Sequence, residues 1–214
     1  MTESYLAPAD SKRYVLDTVR RADRDRFLGA LFAPEPQRRD LLALLAFDHE
    51  LARTRTVTRE PLLARIRLQW WRDAVSEAAG QGKPRAQPIV ESLSETVRRH
   101  HIAPEKLAAL IDAREEEIEG PLDVVRAGHA LADLELAVLG VDHAATRQAA
   151  RAVAAAWLMG EGAERDALLA EARGRRAEID QAALPILLPA LSLGGTRAWA
   201  RPLAYWWAAR RGRY

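Results

Sequence analysis

Two acidic side chains in an apolar helical segment are the residues best placed to do chemistry. Asp48 and Glu50 follow Phe47 within a stretch whose apolar residues recur at helical spacing. Carboxylates four residues apart on a helix lie about 40° apart and share a magnesium ion, which prefers hard oxygen ligands. Asp48 and Glu50 are only two residues apart, which places them about 200° apart around the helix. We predict that they do not chelate one ion together and that they are either solvated or ion-paired.

A denser run of acids lies later in the chain. Its members are Asp112, Glu115, Glu116, Glu117 and Glu119. All of them except Glu117 share one face of a predicted helix. Such a run is typical of a solvated face, partnered here by Arg114, and that is what we predict. The alternative is a substitute cation site.

Histidines and common catalytic motifs supply no further candidate. The five histidines, at 49, 100, 101, 129 and 143, show no metal-ligand spacing, and His129 is placed to hydrogen-bond Asp133 on one helix. The sequence contains no H-E-x-x-H, no G-x-S-x-G and no glycine-rich phosphate loop. Neither a hydrolase nor a nucleotide-binding protein is indicated.

A pair of tryptophans, Trp70 and Trp71, stands beside Arg67. Adjacent residues on a helix point about 100° apart, so only one of the two rings can lie centrally in a core. We expect the other ring to cover a neighbouring helix or to contact a partner.

The C-terminal segment, residues 195–214, combines tryptophans with arginines. Trp206 and Trp207 are followed by Arg210 and Arg211. This composition suits a membrane interface or a groove on another protein. The alternative is a last helix that packs its aromatic residues on the domain and leaves a solvated basic end.

Helical periodicity runs through the chain, and no segment alternates for long like a strand. We predict one all-helical domain over residues 1–214, with an N-terminal tail at 1–10 and the aromatic, basic segment at 195–214. The predicted helices span 10–21, 23–32, 37–53, 60–80, 88–100, 104–119, 122–139, 144–159 and 163–179. In the fourth of these, Leu63, Ile66 and Trp70 begin the predicted apolar face.

Composition narrows the classes of partner and site. The absence of cysteine excludes disulfides and thiolate metal sites. Net charge is only +2, and acids are interleaved with the arginines almost everywhere, so nucleic-acid binding is not predicted. No secretory signal is evident, and the longest apolar run is shorter than the roughly 20 residues of a membrane span. We expect a cytoplasmic protein.

Several motifs together resemble the squalene/phytoene synthase family. They are Asp23-Arg24-Asp25-Arg26-Phe27-Leu28, Ala46-Phe47, Arg67-Leu68-Gln69-Trp70-Trp71-Arg72-Asp73, Gln87-Pro88-Ile89 and Ala183-Leu184-Pro185. The resemblance is good over 23–119, fair over 182–193 and poor between. The Trp-Trp stretch is similar to a branch of the family that contains a mitochondrial complex I assembly factor and lacks the Asp-rich motifs.

The resemblance implies an isoprenoid-synthase-like helical bundle that is shortened in its C-terminal half. The family's enzymes hold magnesium with two Asp-rich motifs, and both are degenerate here. Where the first motif's acids would stand, this chain has Ala52, Arg53 and Thr56. The second motif is reduced to Arg165-Asp166, with Glu171 one position late. The resemblance therefore implies no catalytic residues, no metal ligands and no cofactor.

Three hypotheses about function follow from this resemblance. The first is an accessory factor for assembly of a membrane respiratory complex, which binds a subunit through Arg67, Trp70 and Trp71 or through Trp206 and Trp207. It would be peripheral on the inner face of the membrane. The second is a prenyl transferase that uses Mg²⁺ to join isoprenoid diphosphates, and fold analogy alone favours it. The third is an isoprenoid-binding protein in which Arg53 meets the lipid head group.

Overall fold

The computed structural model describes residues 8–58, 60–80 and 84–214, and every regular element in these ranges is helical. The α-helices are α1 (Pro8–Ala22), α2 (Arg24–Ala30), α3 (Gln37–Val57), α4 (Pro61–Ala79), α5 (Pro88–His100), α6 (Pro104–Glu116), α7 (Val124–Leu139), α8 (Ala144–Leu158), α9 (Ala163–Gly174), α10 (Leu184–Leu187), α11 (Ala190–Leu193) and α12 (Arg201–Arg211). Short 3₁₀ turns occur at Gln181–Ala183 and Ala198–Ala200. No helix in the described ranges has the length and apolar character needed to cross a membrane.

The predicted all-α class is confirmed, and most helix boundaries follow local signals. α4, α5 and α6 each carry proline in the first turn, where the missing N–H costs no hydrogen bond. Three predicted ends are wrong, because α3 continues to Val57, α6 stops at Glu116 and α9 stops at Gly174. The predicted tail at 1–10 is also too long, since α1 begins at Pro8; residues 1–7 lie outside the described ranges.

The contacts of the chain group it into two compact units. The first contains the residues up to Ala22 together with Arg39–Leu122, and the second contains Asp23–Arg38 together with Asp123–Tyr214. The first unit therefore holds α1, most of α3, and α4 to α6. The second holds α2 and α7 to α12. The single-domain expectation stays a prediction.

In the first unit, α3 supplies the centre of the core. Leu41, Leu44, Phe47 and Leu51 on this helix are fully buried. α1 packs on α5, and α4 packs on both α5 and α6. The Trp71 ring meets Phe47 edge-on, with the ring centroids 5.4 Å apart. This packing ties α4 to α3 and fixes the helices that carry the candidate site.

In the second unit, α8 packs between α7 and α9. The backbones of α7 and α8 approach closely at Gly128, where an added Cβ would lie 2.5 Å from the backbone nitrogen of Ala155. α12 is tied down by Tyr205, whose hydroxyl lies 2.8 Å from that of Ser192. The helix therefore has a definite inner side and a definite outer side.

Candidate functional site

The acids of α3 are buried, not solvated, and each is paired with arginine. Asp48 accepts a hydrogen bond from Nη2 of Arg114 on α6, at 3.4 Å, and both side chains are buried. Glu50 accepts from Nη1 of Arg53 at 2.5 Å and from Nη2 of Arg67 on α4 at 3.4 Å. Of the two environments predicted for these acids, solvated or ion-paired, the structure shows the ion-paired one.

The different partners of Asp48 and Glu50 agree with the spacing argument. One acid pairs with α6, and the other with α4 and with its own helix. The guanidinium of Arg53 donates a hydrogen bond to Glu50, and this contact and the carboxylate charge raise the pKa of Arg53. At each carboxylate, a guanidinium group therefore already occupies the place where a cation would bind.

The positions implied for the first motif's acids hold no carboxylate. Ala52 is half-buried, and Arg53 and Thr56 are exposed. Thr56 donates its hydroxyl hydrogen to the backbone oxygen of Arg53, at 2.9 Å. Phe47, the aromatic lead-in of the motif, is fully buried against Trp71. This end of α3 thus carries a basic and hydroxyl surface.

The second degenerate motif lies on α9, in the other unit. Asp166 is exposed, and its carboxylate is 3.9 Å from Nε of Arg165. Glu171 is also exposed and pairs with Arg175 at 3.4 Å. The two acids are five residues apart, about 140° around the helix, so they do not converge on one point.

The donor set does not fit the magnesium that the family's enzymes use. Within the ranges that the structure describes, no group of three or more histidine, aspartate or glutamate side chains is arranged to hold a metal ion. The buried carboxylates of α3 are engaged by guanidinium groups instead. A divalent ion at either carboxylate would have to displace an arginine that is already paired with it.

The acidic run from Asp112 to Glu119 forms ion pairs with two arginines of α4. Arg72 reaches Asp112 at 2.6 Å and also hydrogen-bonds Glu115. Burial opposes the charge on Arg72, yet its hydrogen bonds to these two acids raise its pKa. Arg65 pairs with Glu119, which lies beyond the end of α6 and not on the predicted helix face. The run therefore joins α4 to α6.

An apolar groove of about 590 Å³ opens beside the α3 ion pairs, within the first unit. We call it the α3–α4 groove. Its lining residues are Glu50, Val57, Thr58, Leu63, Ile66, Arg67, Trp70, Trp71 and Gln87. Trp71 is only 3% exposed and Trp70 is 37% exposed, so one ring lies in the core and the other on the surface, as the spacing predicted.

The exposed side of α4 was not identified correctly from the sequence. Leu63, Ile66 and Trp70, the start of the predicted apolar face, are exposed, and Ile66 is 57% exposed. The buried stripe consists of Ala64, Leu68, Trp71, Ala74, Val75 and Ala78. Both stripes are apolar, and three of the six buried residues are alanines. The one signal in the sequence was the alanines, which allow close helix packing.

Arg67 is the polar group of the α3–α4 groove that lacks a complete set of partners. Its Nη2 contacts Glu50, but its Nε is buried without a hydrogen-bond acceptor among the described residues. A buried N–H without a partner is costly, so this atom is a site for an acceptor oxygen. Trp70 also lines the groove, and Arg85 covers one face of its ring. The guanidinium carbon of Arg85 lies 5.1 Å from the ring centroid.

The C-terminal tryptophans lie on the surface of the second unit. Trp206 is 46% exposed and Trp207 is 45% exposed. Tyr205, on the inner side of the same helix, is fully buried. The alternative in which the last helix packs its aromatic residues inward therefore holds for Tyr205 but not for the two tryptophans.

Comparisons with known proteins agree with the motifs. The model of the family described as Squalene/phytoene synthase matches residues 19–159. Similar relatives are proteins named "NADH dehydrogenase (ubiquinone) complex I, assembly factor 6". The Rattus norvegicus protein is 33% identical over 110 residues, which are 51% of this chain and 33% of the relative. The Bos taurus protein is 31% identical over 116 residues, 54% of this chain and 34% of the relative. The matched part thus covers about a third of each relative's length.

Proposed function

This chain belongs to the squalene/phytoene synthase family, and from that premise we propose that it is a catalytically degenerate member that works by binding protein. Its role would be that of an accessory factor in the assembly of a membrane respiratory complex resembling complex I. The relatives named complex I assembly factor 6 support this role.

The observation that carries the proposal is the state of the α3 acids. Prenyl transfer in this family needs clustered carboxylates whose magnesium ions neutralise the departing diphosphate. Here Asp48 and Glu50 are buried against Arg114, Arg53 and Arg67. These arginine side chains occupy the carboxylates that would otherwise bind magnesium. The ion pairs of Asp48 and Glu50 therefore hold α3, α4 and α6 together.

We propose the α3–α4 groove as the surface that receives the partner. Its walls offer apolar area from Ile66 and Trp70, and Arg67 offers a buried N–H. An apolar side chain of a respiratory subunit would fill the groove. A carbonyl or carboxylate oxygen of the same segment would accept a hydrogen bond from the Nε–H of Arg67. Trp71, the other tryptophan predicted as a contact, would lie under the groove, where its ring packs edge-on against Trp70 and holds it in place.

The protein would act at the inner face of the membrane that holds the respiratory complex, as a peripheral protein. A subunit that is not yet assembled exposes apolar surface there, and an exposed apolar groove is complementary to such a surface. At this location the groove would meet its partner from the surface of the membrane. None of the described helices is long and apolar enough to cross it.

The assembly role is tested by deletion of the gene in the source organism. We expect NADH:quinone oxidoreductase activity of the membranes to fall several-fold and to return when the gene is restored. The tagged chain should co-purify with a respiratory subunit identified by mass spectrometry. Normal respiration in the deletion strain would refute the proposal. Magnesium-dependent release of diphosphate from farnesyl diphosphate by purified protein would favour the prenyl transferase instead.

Magnesium should not stabilise the protein. A ligand that binds only the folded state raises its stability by about 2.7 kcal/mol at 100 times its Kd. Because the α3 carboxylates already pair with arginines, we expect about 5 mM Mg²⁺ to change Tm by less than about 1 °C. Sodium chloride of equal ionic strength is the control in this thermal scan. A rise of several degrees with magnesium alone would contradict the account of the site.

A further inference from the structure

The outer face of α12 is apolar at one end and basic at the other. Leu203, Trp206, Trp207 and Arg210 follow one another at intervals of three, one and three residues, which places them on one side of a helix. All four are exposed. Trp199, just before the helix, is 78% exposed. We call these five residues, together with Arg211, the α12 face.

The α12 face is held outward by contacts on the opposite side of the helix. Tyr205 is buried against the ring of Phe32, with the centroids 6.5 Å apart, and its hydroxyl pairs with Ser192. Arg201 at the start of the helix pairs with Asp25 at 2.6 Å. Since these contacts fix the rotation of α12 within its unit, the exposed tryptophans are positioned and do not result from a loose end.

The segment that contains this face carries side-chain charge of one sign. Residues 181–214 contain five arginines and no aspartate or glutamate. Arg210 lies over the Trp206 ring at 5.6 Å, and Arg211 lies over the Trp207 ring at 4.9 Å. Neither arginine has a carboxylate partner among the described residues. The face thus presents stacked indole and guanidinium groups with uncompensated positive charge.

We propose that the α12 face is a docking surface for an anionic phospholipid membrane. Tryptophan prefers the level of the lipid head groups, where its ring meets apolar chains and its N–H meets polar groups. Arginine binds phosphate through a planar fork of donors. α12 has 11 residues, so it lies in the interface and does not cross. This proposal adds to the peripheral location proposed above the protein surface that contacts the membrane and the class of lipid that it binds. It rests on the proposed function in taking that membrane to be the one that holds the respiratory complex.

Vesicle sedimentation with the purified full chain tests the proposal. We expect binding to phosphatidylcholine vesicles that contain about a third phosphatidylglycerol, and little binding to phosphatidylcholine alone. Arg210→Gln with Arg211→Gln should weaken binding about thirtyfold, since each basic residue adds to the attraction of an anionic surface. Trp206→Ala with Trp207→Ala should weaken it as well and should reduce the blue shift of tryptophan emission that membrane insertion causes, because Trp199 is then the one tryptophan left on the α12 face.

A matched control is available on α1. Arg20 and Arg21 are also adjacent, exposed and in the last turn of a helix. Arg20→Gln with Arg21→Gln should leave vesicle binding unchanged. Equal binding by the α12 and α1 variants, or no binding of the parent chain to anionic vesicles, would overturn the proposal. So would α12 variants that still bind vesicles normally but no longer co-purify with the respiratory subunit, because that result assigns the face to protein. The vesicle assay contains no partner protein, so its failure leaves the deletion phenotype as a separate test of the assembly role.

Discussion

A chain that carries Ile66→Ala and Trp70→Ala is expected to bind its respiratory partner about 100-fold more weakly and to fail to restore complex I activity in the deletion strain. Both side chains line the α3–α4 groove, and both are exposed in the absence of a partner. Truncating an anchoring tryptophan at an interface commonly costs about 2–4 kcal/mol of binding free energy. The loss should appear in the dissociation rate, measured by biolayer interferometry with the co-purified subunit.

The two positions are suited to this test because both side chains lie on the surface. The Trp70 ring also packs on Trp71, with 4.9 Å between the ring centroids, and against Arg85, so its removal costs some stability. Circular dichroism and Tm therefore show first that the variant is folded at the temperature of the binding assay. Trp71 is avoided because removal of a buried tryptophan typically costs about 3–5 kcal/mol of stability. A loss of function there would report unfolding and not binding.

The control for the groove variant lies on α1 of the same unit. Tyr14 and Leu16 are also exposed apolar side chains, and neither lines the groove. Tyr14→Ala with Leu16→Ala should restore respiration fully. Arg67→Lys adds a finer test, since it keeps a positive charge near Glu50 but removes the Nε–H; we expect about tenfold weaker binding. Full rescue by the Ile66→Ala, Trp70→Ala chain would exclude the groove as the contact.

Local signals made the helices predictable from the sequence. Pro88 in the first turn and the arginines of the last turn set both ends of α5 correctly. The adjacent indoles of Trp70 and Trp71 divided between surface and core as helical geometry requires. These features depend on residues that are neighbours along the chain.

The environment of the candidate site depends on distant residues and was not predictable in the same way. Asp48 is buried because Arg114, 66 residues later, meets it. α4 packs on α5 and α6, which lie later in the chain, and the stripe that it buries includes Ala64 and Leu68 but not Ile66. Sequence spacing excluded a shared ion between Asp48 and Glu50, but it did not identify which cations replace the metal.

The second large effect concerns the packing of α7 on α8. Gly128→Ala is expected to lower the free energy of unfolding by about 2–4 kcal/mol and Tm by roughly 5–15 °C. A Cβ at this position would lie 2.5 Å from the nitrogen and 2.7 Å from the Cα of Ala155. Both are backbone atoms, so no side chain can rotate away and the two helices must separate. This cost exceeds the gain of about 1 kcal/mol that alanine normally brings to a helix interior.

Gly174→Ala, in α9 of the same unit, separates the effect of close packing from that of helix propensity. Gly174 is also helical, but a Cβ there meets no atom within 4 Å. We expect this variant to be unchanged or up to about 1 kcal/mol more stable in urea denaturation. If Gly128→Ala behaved like Gly174→Ala, the close approach of the two helices would be refuted. Opposite signs for the same substitution would show that contact between backbones, and not glycine's flexibility, determines the residue at position 128.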